Sequence, residues 1–221
     1  MELDIIINKD CIEGMKELPD ESIDLIVTDP PYLISYKTNH RKNKSHEFCS
    51  VIKNDNNEQL IKDYIKECYR VLKDNSAMYM FCSWKTDSFF ERELTSSGFK
   101  IKNKIIWVKN NWTAGDLKGQ FGQQYETIFL VAKGKPKFNG KRITDVWNFN
   151  RVVGKNQLHQ NQKPVDLLEL CIEKHSKEGD IVLDGFAGVG STAVACKNLK
   201  RHYICYELEE KYCKLAQKRL K

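Results

Sequence analysis

Two short stretches of the chain carry residue types that can do chemistry together. The first is Asp29-Pro30-Pro31-Tyr32, an acid, two rigid residues without a backbone N–H and an aromatic ring. The acid can accept hydrogen bonds or a proton, the prolines keep their carbonyls as acceptors, and the ring offers a stacking face. Taken alone, the same four residues also describe a proline turn with a solvated aspartate. The second stretch is Asp184-Gly185-Phe186-Ala187-Gly188-Val189-Gly190, followed by Ser191 and, past another apolar run, Glu207. Glycines let the backbone turn tightly against a ligand, and an acid at the end of the next strand can accept from ribose hydroxyls. The glycines are spaced G-x-x-G-x-G, not the G-x-G-x-x-G that brings a pyrophosphate onto a helix, and no Walker sequence is present. A nucleoside without phosphates fits this loop better than a dinucleotide.

Alternating strand-like and helix-like segments must position these groups. Leu3–Ile7 reads as a β-branched strand, a helical turn follows around Ile12–Leu18, and Ile23–Thr28 is an apolar strand that ends at Asp29. Neither Pro30 nor Pro31 can continue a central strand, so the chain must turn there, at the edge where open α/β sheets bind ligands. Gln59–Leu72 has helical spacing, Ala77–Cys82 is a buried-strand run, and Asp87–Ser97 is a helix closed by Gly98. Strands Ile101–Lys109 and Tyr125–Lys133 have no crossover helix between them, which favours antiparallel pairing. Pro164 opens a helix running to His175, after which strand Ile181–Asp184, helix Ser191–Leu199, strand Tyr203–Tyr206 and helix Glu209–Leu220 complete the pattern.

Two segments break it. Leu33–Asn57 is polar and basic, and its place directly after Tyr32 suits a lid or a phosphate-contacting loop as well as a solvated surface loop. Lys133–Gln162 interleaves lysines and arginines with Phe138, Trp147 and Phe149, a mixture that suits a nucleic-acid face, although a decorated surface loop looks similar from sequence. With 221 residues the chain fits one domain, and a net charge of +6 makes an anionic partner plausible without requiring one. Eight scattered cysteines form no C-x-x-C pair and no long apolar span is present, so they read as buried hydrophobes of a reducing, cytoplasmic compartment. No metal-ligand spacing occurs.

These motifs resemble the S-adenosylmethionine-dependent DNA amino-methyltransferases, the N6-adenine/N4-cytosine family of restriction–modification systems. That family carries D/N/S-P-P-Y/F/W as its catalytic tetrapeptide and F-x-G-x-G as its cofactor loop. Having the tetrapeptide first and the loop last is the order of its β class. His159-Gln160-Asn161-Gln162-Lys163-Pro164 is similar to the H-P-x-Q-K-P segment of that class, and Asn8-Lys9-Asp10-Cys11 to its G-D-C/A turn. Gly185 stands where many members have proline, and Gln160 replaces the proline after His159.

The resemblance, which covers essentially the whole chain, implies a Rossmann-like class I methyltransferase fold. Such a fold has a mixed, mostly parallel sheet flanked by helices, with circularly permuted motif order, so that Tyr203–Tyr206 lies beside Leu3–Ile7. It implies catalysis at Asp29, Pro30, Pro31 and Tyr32, and S-adenosylmethionine held by Asp10, Cys11, Lys163, Asp184, Phe186, Ala187, Gly188, Gly190, Ser191 and Glu207. From its position before a proline, Lys163 reads equally as an exposed surface lysine. The 221 residues divide into a catalytic half (1–132), a short DNA-recognition segment (133–158) and a cofactor half (159–221). The implied partner is double-stranded DNA with a flipped base; a homodimer and a companion restriction endonuclease are compatible, and a membrane is not implied. Asp29 leans towards adenine N6 over cytosine N4. RNA adenine methylation and a non-catalytic nucleic-acid-binding subunit are the remaining alternatives, whereas a protein glutamine methyltransferase would be expected to carry Asn at position 29.

Overall fold

The computed structural model describes residues 1–34, 53–113, 117–154, 157–159 and 161–221. Most of the basic loop expected over Leu33–Asn57, and Gln160, lie outside the described residues. Among the described residues, eight strands form one sheet: β1 (Ile5–Asn8), β2 (Ile23–Thr28), β3 (Leu72–Cys82), β4 (Lys100–Val108), β5 (Tyr125–Lys133), β6 (Val146–Asn148), β7 (Ile181–Asp184) and β8 (His202–Glu207). Their order across the sheet is β1-β8-β7-β2-β3-β5-β4-β6. Only β5 runs against its neighbours: it pairs antiparallel with β3 and β4, and every other pairing is parallel.

Six helices among the described residues cover the two faces: α1 (Cys11–Met15), α2 (Glu58–Val71), α3 (Asp87–Ser96), α4 (Val165–His175), α5 (Ser191–Asn198) and α6 (Glu210–Arg219). Strand side chains alternate between faces, and the core divides accordingly. Leu25 and Val27 of β2 pack in one cluster with Leu167, Cys171 and Ile172 of α4 and Ala193 and Cys196 of α5. Ile26 joins the opposite cluster with Ile61, Tyr64, Ile65 and Cys68 of α2. Burial on both sides is why β2 and β7 read as continuous apolar runs rather than alternating ones.

The expected pairing of the last strand with the first is present, with Ile5 opposite Ile204 and Asn8 opposite Glu207. α6 closes over β1, where the Gln217 side-chain amide donates to the Ile6 carbonyl at 2.9 Å. Two elements differ from the sequence reading. β3 starts at Leu72, directly from the end of α2, five residues before the expected Ala77. β6 was not expected at all; it pairs parallel with β4 and buries Trp147, whose indole N–H donates to the Thr144 carbonyl.

Candidate active site

Parallel strands end on a common edge, so β1, β2, β7 and β8 deliver Asn8, Asp29, Asp184 and Glu207 to one side of the sheet. Because β5 runs the other way, it is the beginning of that strand, at Tyr125 and Glu126, that stands on this edge. Asp29, Glu126, Asp184 and Glu207 border a cavity of about 480 Å³, a size ordinary for a small-molecule site. Asp29, Pro30, Pro31 and Tyr32 line it, as do Asp10, Cys11, Lys163, Phe186, Ala187, Gly188, Ser191 and Glu207. Gly190 is the one expected site residue set back from it: its turn, at φ +75°, packs where a Cβ would stand 2.8 Å from Ala216 Cβ.

One end of the cavity is a compact charge cluster. Lys163 Nζ lies 2.5 Å from Asp29 Oδ2 and 3.4 Å from Glu126 Oε2. The Tyr32 hydroxyl lies 2.6 Å from Asp29 Oδ1 and 2.9 Å from Glu126 Oε2. Lys109 Nζ closes the group at 2.5 Å from Glu126 Oε1. Thr86 donates to the Tyr32 carbonyl at 2.7 Å and so fixes the turn that presents the ring. Burial raises the Asp29 carboxyl and Glu126 adds to that, while Lys163 opposes it; the balance leaves Asp29 above its ordinary range. Burial pushes Glu126 up as well, but Lys163 and Lys109 overrule it and hold its carboxyl at about 2. Lys163 resists the cost of burial because both acids face it, and is held charged. The lysine ammonium also lies over the rings of Tyr32 and Phe81, at 5.3 and 5.1 Å from their centroids.

The other end is built on the glycine loop. Gly188 has φ +52° and open space where a Cβ would stand, so the backbone itself faces the cavity. Its N–H donates to Glu207 Oε2 at 2.8 Å, and Glu209 N–H donates to Oε1 at 2.7 Å. Each carboxylate oxygen keeps further lone-pair capacity for a hydroxyl. Burial lifts the Glu207 carboxyl to about 6. Phe186 stands edge-on to Tyr64 at 4.8 Å. Asp184 lies deeper and takes bonds from the Thr192 hydroxyl at 2.6 Å and Phe186 N–H at 3.0 Å, which pins the loop to the start of α5. Asp10 caps α1, accepting from Ile12 N–H at 2.9 Å and Glu13 N–H at 3.2 Å through one oxygen. Burial pushes the Cys11 thiol up to about 12, which removes it as a nucleophile. His159 stands edge-on to Tyr212 at 4.5 Å and is held neutral, at about 4, by burial and by Lys163.

The site joins an open glycine backbone and the Glu207 acid to the pocket formed by Asp29 and Tyr32, and the chain is similar to known proteins. A family model described as DNA methylase, of the N6/N4 type, matches residues 23–218. The chain belongs to the N6/N4 DNA methylase family. Type II methyltransferase M.HinfI of Haemophilus influenzae is 32% identical over 249 residues, covering 99% of this chain and 68% of that protein. The crystal structure of the M1.HpyAVI–SAM complex superposes with a TM-score of 0.73 at 28% identity, covering 98% of both chains. PvuII DNA methyltransferase, cytosine-N4-specific, matches with a TM-score of 0.79 at 16% identity over 98% of this chain and 86% of that one, a likeness of fold. The fold is the class I methyltransferase fold and the cofactor is S-adenosylmethionine. The residues present suit it: an acid for ribose hydroxyls, an open glycine backbone and an aromatic wall.

As a member of the DNA methylase family, the chain places Asp29, Tyr32, Phe186 and Glu207 on one cavity, as its sequence implied. Lys163 is not a surface lysine. Its side chain is 8% exposed and engages the acid end of the site. Glu126 and Lys109 went unrecognised, although the strand that carries Glu126 and its antiparallel pairing were both legible. Of the aromatics read on a nucleic-acid face, Trp147 is buried in the core and Phe149 packs against it. Phe138 lies edge-on to His175 at 5.4 Å. Asn139 donates to the Glu173 and Ser176 carbonyls, tying this segment to the end of α4 and satisfying carbonyls a helix end leaves open.

Proposed function

We propose that this DNA methyltransferase acts on the exocyclic N6 of adenine in double-stranded DNA, with the base flipped into the cavity. The observation that carries this reading is the shared cavity: the Asp29 carboxylate and Tyr32 ring face the same space as Phe186 and Glu207. An amine conjugated to a ring is a poor nucleophile because its lone pair is delocalised. Accepting both N–H bonds, at the Asp29 carboxylate and the Pro30 carbonyl, favours a pyramidal nitrogen with its lone pair directed outward. Tyr32 stacks on the base. Flipping costs a few kcal/mol, which stacking and these bonds offset. S-adenosylmethionine supplies a sulfonium-activated methyl group for direct displacement. The chain's own contribution is alignment and fixed charge, with no covalent intermediate on the protein.

On the cofactor side, Glu207 accepts the ribose hydroxyls, Phe186 with Ala187 lines the nucleoside, and Gly188 lets it approach. Asp184, Gly190 and Ser191 shape the loop, while Asp10 and Cys11 border the adenine end. Recognition is assigned to the short segment 133–158 and to the β4–β5 connection, where Trp112 packs on Gly122 and Phe121 is fully exposed. So small a recognition region fits a short target sequence or a second subunit. Cytoplasmic location, homodimerisation and a companion restriction endonuclease fit the same reading; among the described residues no helix is long and apolar enough to cross a membrane.

The test is incubation of methyl-labelled cofactor with unmethylated duplex DNA, followed by nucleoside analysis. Label in N6-methyladenine is expected; label in N4-methylcytosine would overturn the choice of base, and label only with RNA the choice of nucleic acid.

A further inference from the structure

Methyl transfer to a neutral amine leaves a proton to be placed. The methyl is accepted on the nitrogen lone pair, the electron pair of the broken carbon–sulfur bond stays on sulfur, and one N–H proton must depart. The geometry around Asp29 indicates where it goes. Tyr32 Oη lies within hydrogen-bond distance of two carboxylates, Asp29 Oδ1 at 2.6 Å and Glu126 Oε2 at 2.9 Å. A phenol has one proton to donate. If both acids are ionised, one of these contacts sets two lone pairs against each other; with one more proton, both become hydrogen bonds.

We propose that Asp29, Tyr32 and Glu126 form one proton-accepting unit, in which Asp29 takes the proton released by the amine while the Tyr32 hydroxyl turns its own proton towards Glu126. The inference rests on the amine-methylating reading of this cavity. Before transfer, Tyr32 donates to the ionised Asp29. Afterwards Asp29 donates to the Tyr32 oxygen, and Tyr32 donates to Glu126. Atoms balance, with one proton gained by Asp29 and no charge moved onto the phenol. Glu126 acts through the Tyr32 hydroxyl and is in this sense a positioning residue.

The surrounding charges decide which acid holds the added proton. Glu126 is flanked by Lys109 at 2.5 Å and Lys163 at 3.4 Å, and stays ionised. Asp29 faces Lys163 from the segment before α4, Glu126 from β5 and Tyr32 from its own turn, with Asp184 of β7 and Cys82 of β3 further off. Among the described residues, the cation that pairs with Asp29 is Lys163, which is shared with Glu126, so Asp29 is the more readily protonated of the two.

Two isosteric variants, Glu126→Gln and Tyr32→Phe, test the unit by two readouts. The first is the carbon-13 carboxyl titration of Asp29 in the cofactor-free protein, assigned with Asp29→Asn. The second is the acid limb of single-turnover methyl transfer to DNA at saturating cofactor. Both variants are expected to move the Asp29 titration and the acid limb to lower pH, because each removes support for the protonated state. Glu126→Gln withdraws the charge that receives the Tyr32 proton, and Tyr32→Phe removes the bridge. If Tyr32 serves only as a donor to ionised Asp29, Tyr32→Phe moves the titration to higher pH, and that result overturns the proposal. So does an acid limb that stays in place while the rate falls, as a merely structural role for Glu126 would produce. Because the titration needs neither cofactor nor DNA, it separates this inference from the assigned reaction. A wild-type protein that titrates as described but methylates no DNA contradicts that reaction, and with it the use of the unit.

Discussion

The Lys163 ammonium lies 2.5 Å from the Asp29 carboxylate across 134 residues of chain, joining the turn after β2 to the segment that opens α4. Two half-buried acids, Asp29 and Glu126, share this buried cation. Removing one member of a buried ion pair typically costs about 3–5 kcal/mol, chiefly because the remaining charge loses its compensation.

Lys163→Met is therefore expected to lower stability by about 3 kcal/mol in denaturant unfolding. Adding Glu126→Gln to that background should recover part of the loss, since one fewer charge is left uncompensated. Simple addition of the two single effects would show that the charges are not coupled.

Cofactor affinity should depend on pH through Glu207. Burial places its carboxyl near 6, and ribose hydroxyls donate to the ionised form. Binding thus favours the deprotonated state, and affinity should fall roughly tenfold per unit as the pH drops below about 6. Calorimetric titration with S-adenosylmethionine measures this directly. Glu207→Gln should bind weakly, and its affinity should lose this dependence; an unchanged slope in that variant would move the titrating group elsewhere.

Gly185 departs from the proline common in the family, and its surroundings explain why. A Cβ there would lie 2.4 Å from Tyr64 Cε2, and the Gly185 N–H donates to the Tyr64 hydroxyl at 3.2 Å. That hydroxyl also bonds Thr28 at 2.8 Å, so Tyr64 links the ends of β2 and β7. Gly185→Ala should cost about 1–3 kcal/mol through overpacking. An unaltered melting temperature would mean that the Tyr64 ring yields freely.

Much of this site was legible because its residues obey a local rule. Asp29 and Glu207 stand at the carboxyl ends of strands whose apolar runs are unmistakable, and the glycines between Asp184 and Ser191 announce a turn against a ligand. Glu126 obeys the same geometry in reverse: it enters at the start of an antiparallel strand, so a search along strand ends passes over it. Lys163 reads equally as a cofactor-binding and as a surface lysine, because neighbouring sequence cannot show that Asp29 and Glu126 await it. β6 is three residues long in a basic segment, too short for its alternation to register. Trp147, which lies in this strand, is a core residue rather than part of a nucleic-acid face.

The most direct measurement of the central assignment compares wild type with Asp29→Ala under single-turnover conditions, using labelled cofactor and unmethylated duplex DNA. Cofactor binding by calorimetry and the melting temperature serve as controls for folding. The wild type is expected to place label in N6-methyladenine, and Asp29→Ala to lose at least about a hundredfold in rate with cofactor binding retained. Transfer by Asp29→Ala at the wild-type rate would contradict the seat of catalysis assigned to Asp29–Tyr32.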